Sequence, residues 1–435
     1  MITRRSLMFA GSAAAVAGCA HPRGASEGMA TYTTEAEDTR LITEALDNLA
    51  RFEDLRSGGA GDVASGEWLE THLANHNFVT SRQAFEAPFF EPHTSVLCVG
   101  GTEASVYPQG IVVPTGQDGV TGPLRVWRAP GDIPDAAGAV VLMVLPYARH
   151  SQLANSALKS AIKPLSESGA AAIILVTTGP SGERIALNAD PKGPAWPQPM
   201  AVIGPKDAEP FYALARDGQN ATLITEGVGG KRSAFNLIGE INRPGPRIVV
   251  STPRSGWGPC MGERGPGIAV FYALAGWLPS AMPEHAFTFV ANSGHEYDNL
   301  GSHYFIAEHA PPQEETKLWF HLGAGFAARD WHETGERLLP LKSSDAQRFL
   351  MGSEHLVPIL QDTFKGLPGL DVPYLSQAGA AGELGEIVAA GYPNVVGMLG
   401  AHRFHHAPND TKDKTGPELI VPVLSSVRST LLRLA

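Results

Sequence analysis

The sequence predicts an α/β protein: a mostly parallel central sheet with helices on both faces, plus a smaller inserted α/β domain. Three observations predict it. Short apolar runs such as Val140–Leu145, Ala172–Val176 and Ile248–Val250 have the length and β-branched content of buried strands. Segments with apolar residues at helical spacing alternate with them, and strand-helix alternation argues for a parallel sheet covered on both sides. The 48 Gly and 34 Pro among 435 residues suit a loop-rich α/β chain better than a helical bundle.

In chain order, Leu41, Ile42, Ala45, Leu46 and Leu49 recur at helical spacing, and a second helix carries Trp68, Leu69 and Leu73 beyond the glycine-rich turn Ser57–Gly61. Val79 to Phe90 reads as a strand. Over 95–229 strand-like runs flank one helical stretch, Leu153 to Ser168, which stops at Gly169. From Phe235 onward strands (Ile248–Val250, Phe287–Val290, Leu318–Leu322) alternate with helices (Pro266–Leu278, Asn299–His309, Glu354–Phe364, Pro417–Leu434). The organisation expected is a leader and tether over 1–30, a main domain from 31–94 and 230–435, and an insert at 95–229.

The net charge of −11 argues against a nucleic-acid partner, because phosphate binding needs clustered Lys and Arg. Beyond the N-terminus no apolar run is long enough for a membrane span. Thr3-Arg4-Arg5-Ser6-Leu7-Met8-Phe9 resembles a twin-arginine export signal, and Val16-Ala17-Gly18-Cys19 resembles a bacterial lipobox with Cys19 as the acylated residue. Those resemblances imply an exported, periplasmic or cell-envelope lipoprotein that meets the membrane only through its lipid. Cys98 and Cys260 remain, as a disulfide or as two free thiols.

Several landmarks recur in a set order: Phe235-Asn236-Leu237-Ile238-Gly239, Ile248 to Trp257, Gly265-Pro266-Gly267-Ile268-Ala269, Gly294-His295-Glu296 with Leu300-Gly301-Ser302, and His406-Ala407-Pro408-Asn409-Asp410-Thr411. Together they resemble the exported zinc aminopeptidase and glutamate carboxypeptidase family with co-catalytic metals. The insert resembles the protease-associated domain found in many exported zinc peptidases. The resemblance implies a hydrolase of peptide or similar small substrates, with two zinc ions held by His, Asp and Glu side chains at the carboxyl ends of parallel strands.

Carried over residue by residue, that metal set is incomplete. The family's first His falls on Pro253 and its nearby Asp on Ser255; the bridging Asp falls on Glu263. The proton-accepting Glu becomes His295, its neighbour is retained as Glu296, a further Asp falls on Gly323, and the last His is His406, with Asp410 as its buttress. The expected metal donors are therefore Glu296, His406 and Glu263, with His321 sharing a strand face with Gly323 as a substitute or, equally, a hydrogen-bonded core histidine. The site holds one zinc ion, or none where it works without metal.

His295 is the expected general acid or base. Arg254 is the expected anion stabiliser, or else a partner that neutralises Glu263 or Glu296. His405, Glu383 and Tyr392 are the candidate substrate contacts. Alternatives are a non-catalytic binding protein on the same fold, a lyase or isomerase using the same histidine, and a conventional di-zinc peptidase, against which Pro253 and Gly323 count.

Overall fold

The computed structural model describes residues 33–434 apart from 110, 129–130, 132–134, 154 and 336. The leader, including the Cys19 expectation, lies outside the described residues. The first described helix, Glu35–Ala50, starts on a capping box: Thr34 accepts from the Glu37 N–H, and the Glu37 carboxylate accepts from the Thr34 N–H. Its buried face, Ile42, Ala45, Leu46 and Leu49, packs on the helix Met261–Ala281 in the main core.

Four strands form the centre of the sheet and run parallel: Val395–Gly400, Thr316–Leu322, Arg247–Pro253 and Ala286–Asn292. Antiparallel strands flank them, Arg348–Gly352 on one side and Asn220–Ile241 on the other. The sheet is therefore mixed rather than mostly parallel. The main cause is one long antiparallel ribbon, Val79–Val99 against Asn220–Ile241. Phe235-Asn236-Leu237-Ile238 is part of that ribbon, and it hydrogen-bonds beside Ala286–Asn292.

The ribbon also carries the sheet into residues 95–229, which fall in one compact unit with the rest of 33–435. Val120–Arg128 pairs with the ribbon through residues 120–123 and with Val140–Val144 through residues 124–128. Val140–Val144, Ala172–Val176 and Met200–Ile203 then continue in parallel. Separate apolar clusters lie in this region, one around Leu142, Ile174 and Phe211 and another around Met143, Ile162 and Leu175. The helical stretch sits at Ser156–Glu167, capped by Asn155. The expected Glu354–Phe364 helix is a 3₁₀ turn, Glu354–Leu356, running into a short helix, Val357–Thr363. Among the described residues no helix is long and apolar enough to cross a membrane.

Candidate functional site

The chemistry gathers where the parallel strands end. Arg247–Pro253 pairs in register with Ala286–Asn292, so the loops leaving Pro253 and Asn292 emerge side by side. The helix Met261–Ala281 begins in the same crevice. Cys260 precedes it in left-handed conformation with no cap of its own. Asp410 supplies the cap from a distant loop: Oδ1 accepts from the Gly262 N–H at 2.8 Å and Oδ2 from the Glu263 N–H at 3.1 Å. Only glycine fits at 262, because a Cβ there would lie 2.7 Å from both Asp410 Oδ1 and His402 Cε1. The cap fixes Glu263 in the first turn, fully buried.

Among the described residues one group of three metal-ligating side chains converges, Glu263, His405 and His406, with ligand atoms all within 4.8 Å of one another. His406 Nε2 is 3.3 Å and His405 Nδ1 3.8 Å from Glu263 Oε1. His406 holds a left-handed backbone (φ 58°), a conformation costly for a residue with a side chain. Its Nδ1 lies 2.9 Å from the carbonyl oxygen of Ala186. A carbonyl can only accept, so Nδ1 carries the proton and, in the neutral ring, the Nε2 lone pair faces Glu263. Both Glu263 oxygens and His405 Nδ1 are buried without a hydrogen bond. Such atoms fit one shared cation.

A competing cation is already present. Arg264 lies 2.8 Å from Glu263 Oε1, and its Nε donates to the Ser255 carbonyl at 2.6 Å. Burial pushes the Glu263 carboxyl up, but Arg264, His406 and His405 together hold it well below the usual carboxylate range. The cluster thus fits a single metal ion at most, and only with Arg264 withdrawn from Glu263. It does not fit two.

Several expected ligands are placed elsewhere. Glu296 is saturated: Oε1 accepts from the Ser57 N–H at 2.9 Å, and Oε2 accepts from the hydroxyls of Ser57 and Ser255 at 2.7 and 2.6 Å. His321 is a buried core histidine. Its Nδ1 lies 2.8 Å from Ser251 Oγ, which also accepts from Trp319 Nε1, and burial pushes its pKa down to about 4. Asp410 approaches His402, at 3.3 Å, rather than buttressing His406.

Arg254 is also redirected. It is fully enclosed, with Nε on Asp62 at 2.9 Å and its terminal nitrogens on the carbonyls of Ala291 and Phe235, so no group remains to face a substrate. Its carboxylate partner is Asp62, neither Glu263 nor Glu296. Tyr392 packs on Trp319 and donates to the Pro311 carbonyl, a packing role rather than a substrate contact. Cys98 and Cys260 are free thiols.

His295 and Glu383, assigned separately from sequence, are brought together. His295 Nδ1 lies 3.4 Å from Glu383 Oε1, looser than a formed hydrogen bond, while Glu383 Oε2 accepts from Asn292 Nδ2 at 3.0 Å. Burial pushes the Glu383 carboxyl up, but the adjacent His295 imidazole outweighs it and holds the carboxyl below its usual range. Ser255 connects this pair to the cluster: its Oγ accepts the His295 N–H, and its carbonyl accepts Arg264.

Sequence reasoning missed Arg264, Ser57 and the segment 183–190. That last loop seals the crevice, since the Ala186 N–H donates to the His406 carbonyl at 3.0 Å and the Ala189 N–H to the Glu296 carbonyl at 2.9 Å. Arg264, one residue beyond the bridging-carboxylate position, was visible as an unexplained cation. Ser57 and the loop gave no local signal, because their partners lie far away along the chain.

Comparison of the whole architecture places it. The aminopeptidase from Aneurinibacillus sp. strain AM-1 is similar with a TM-score of 0.63 at 17% identity, over 92% of this chain and 96% of that one. BSAP, a zinc aminopeptidase from Bacillus subtilis, gives 0.70 at 16% over 92% and 95%. The fold is that of the zinc aminopeptidases. The peptidase M28 precursor from Shewanella amazonensis SB2B agrees, at 0.65 and 15% over 92% and 96%. No protein-family model and no curated protein sequence matches the chain. On this aminopeptidase fold the metal-binding cluster is incomplete, a single Glu-His-His triad.

Proposed function

We propose that the chain is a peptidase-like hydrolase acting on an amide or similar bond of a small peptide-like substrate, with His295 as general acid and base. The observation that carries this reading is the His295–Glu383 pair standing beside the Glu263–His405–His406 cluster and joined to it through Ser255. The Glu383 carboxylate keeps the His295 proton on Nδ1, which leaves Nε2 as the base. Nε2 takes the proton of a water as its oxygen bonds to the substrate carbonyl carbon. The same proton passes to the leaving nitrogen as the C–N bond breaks.

The carbonyl oxygen gains negative charge in that step, and a cation must meet it. Glu263, His405 and His406 would hold a zinc ion, which supplies Lewis-acid polarisation of that oxygen. Without metal, the buried Arg264 guanidinium is the cation in reach of the cluster. The deciding experiment is turnover of a broad panel of peptide amides and esters by wild type and His295→Ala, alongside the zinc content of each. Activity lost in the variant at unchanged metal content supports the reading; equal inertness of both on every compound refutes it.

One observation favours a second reading. The Arg264–Glu263 ion pair and the saturated Glu296 quench much of the charge that a catalytic metal needs. On that reading the crevice binds peptide without cleaving it. The leader resemblance supports an exported protein anchored through Cys19 on either reading, which acylation of the expressed full chain and its loss in Cys19→Ala would test.

A further inference from the structure

A cavity of about 680 Å³ opens where the parallel strands Val120–Arg128 and Val140–Val144 end and the helix Ser156–Glu167 begins. The carboxyl ends of parallel strands are where open α/β sheets take their ligands. Trp127 and Leu145 at the strand ends line one side, and Leu158, Ala161 and Pro164 of the helix line the other. Their spacing of three keeps those helix side chains on one face, and all three are only half-buried. The opposite need is already met: Ile162 and Leu165 of the same helix are buried in the apolar cluster with Met143 and Leu175. Size separates a site from a packing gap. The cavity left by one removed side chain is about 150 Å³, whereas small-molecule sites run roughly 300–1,000 Å³.

The charge of the lining narrows what fits. Only two ionisable side chains line the cavity, Arg149 and His150. Arg149 is spent: its Nη1 donates to the Asp345 carboxylate at 2.8 Å and to the Ala401 carbonyl. His150 Nε2 lies 2.9 Å from the Pro146 carbonyl oxygen, which can only accept, and burial pushes its pKa down, so the ring is neutral at neutral pH. The nearer polar groups are also engaged. Trp127 Nε1 donates to the Gly131 carbonyl at 3.2 Å, and the Asn155 side-chain oxygen caps the helix. What stays open among the described residues is uncharged and exposed: the Gln152 amide, the Ser160 hydroxyl and the Asn155 NH₂ group. A charged ligand would lose hydration there and gain no counter-ion.

We propose that this cavity is a second ligand site, taking a neutral small molecule with an apolar body and an uncharged hydrogen-bonding end. None of its lining residues belongs to the His295–Glu383 pair or to the Glu263–His405–His406 cluster, so the site stands or falls apart from the hydrolase reading.

The test is fluorescence titration of the full folded chain with N-phenyl-1-naphthylamine, a neutral probe that brightens in apolar surroundings. Saturable binding at one site per chain is expected, with a dissociation constant of about 1–100 μM. Its sulfonated relative 8-anilinonaphthalene-1-sulfonate should bind at least about tenfold more weakly, because no free cation lines the cavity. Ala161→Phe fills the space from a half-buried helix position, and Leu158→Glu puts a charge on the wall. Each should cost the neutral probe about tenfold or more in affinity while the melting midpoint stays within a few degrees of wild type. No saturable binding to wild type, equal or tighter binding of the sulfonate, or wild-type affinity in a folded Ala161→Phe or Leu158→Glu chain overturns the proposal.

Discussion

His406 and Ala186 are hydrogen-bonded in both directions: imidazole Nδ1 to the Ala186 carbonyl at 2.9 Å, and the Ala186 N–H to the His406 carbonyl at 3.0 Å. The loop over residues 183–190 thereby sets both the tautomer and the left-handed backbone of a cluster histidine in the crevice of the parallel strands. Buried Gln109 holds that loop in turn, its side-chain oxygen accepting from the Leu187 N–H at 2.6 Å.

Gln109→Ala should therefore act at a distance. Zinc affinity is expected to fall about 10- to 100-fold, the range for loss of a ligand's supporting hydrogen bond. The thermal midpoint should drop by only a few degrees. Equilibrium dialysis with zinc, paired with a melting curve, checks both.

Metal stoichiometry should not exceed one zinc per chain by elemental analysis. Glu263→Gln should abolish that binding, because it removes the only carboxylate of the triad. Arg264→Gln should strengthen it, since the guanidinium 2.8 Å from Glu263 repels a cation. Two tightly held zinc ions in wild type would contradict the geometry of the site.

In the His295–Glu383 pair, Glu383→Gln removes the acceptor that fixes the imidazole tautomer. Turnover should fall by about 10-fold or more, with the acid limb of the pH–rate profile displaced, and His295→Ala should cost about 10²- to 10⁴-fold. Steady-state kinetics on the best substrate of the panel measures each. A Glu383→Gln enzyme with wild-type kcat and pH profile would leave that carboxylate without a catalytic part.

Arg254 and Asp62 carry a structural prediction. Both are fully buried and bound to each other at 2.9 Å, so Arg254→Met strands an ionised carboxylate and should cost about 3–5 kcal/mol. Urea unfolding measures the loss. Arg254→Met with Asp62→Asn together should recover part of it, because no unpaired charge then remains.

His321 gives the pH dependence. Its pKa is pushed from 6.5 down to about 4, chiefly by burial. Between those values the unfolded chain binds a proton that the folded chain refuses, so stability is full above 6.5 and declines as pH falls toward about 4. The contribution is about 3 kcal/mol. Urea midpoints at about pH 7 and about pH 4.5 should separate less in His321→Asn than in wild type.

Much of the architecture was legible because it is written in local patterns. The run Ile248-Val249-Val250 marked a buried strand, and Pro417 to Leu434 marked a helix that the structure reproduces end to end. The losses at Pro253 and Gly323 were equally plain, since neither residue has a side chain that can ligate a cation. His295 stood out for the same local reason, as an imidazole where the resembled family places its base.

What each donor touches is a different kind of fact. Glu296 looked like a ligand until Ser57, 239 residues earlier in the chain, was found occupying it. Arg254 looked like an anion binder until Asp62, 192 residues away, enclosed it. Local patterns were enough for the order of strands and helices and for the chemical types available at their ends. Which donors are spent on one another and which stay open depends on long-range packing, because hydrogen bonds and ion pairs act over a few ångströms between residues that chain order keeps far apart.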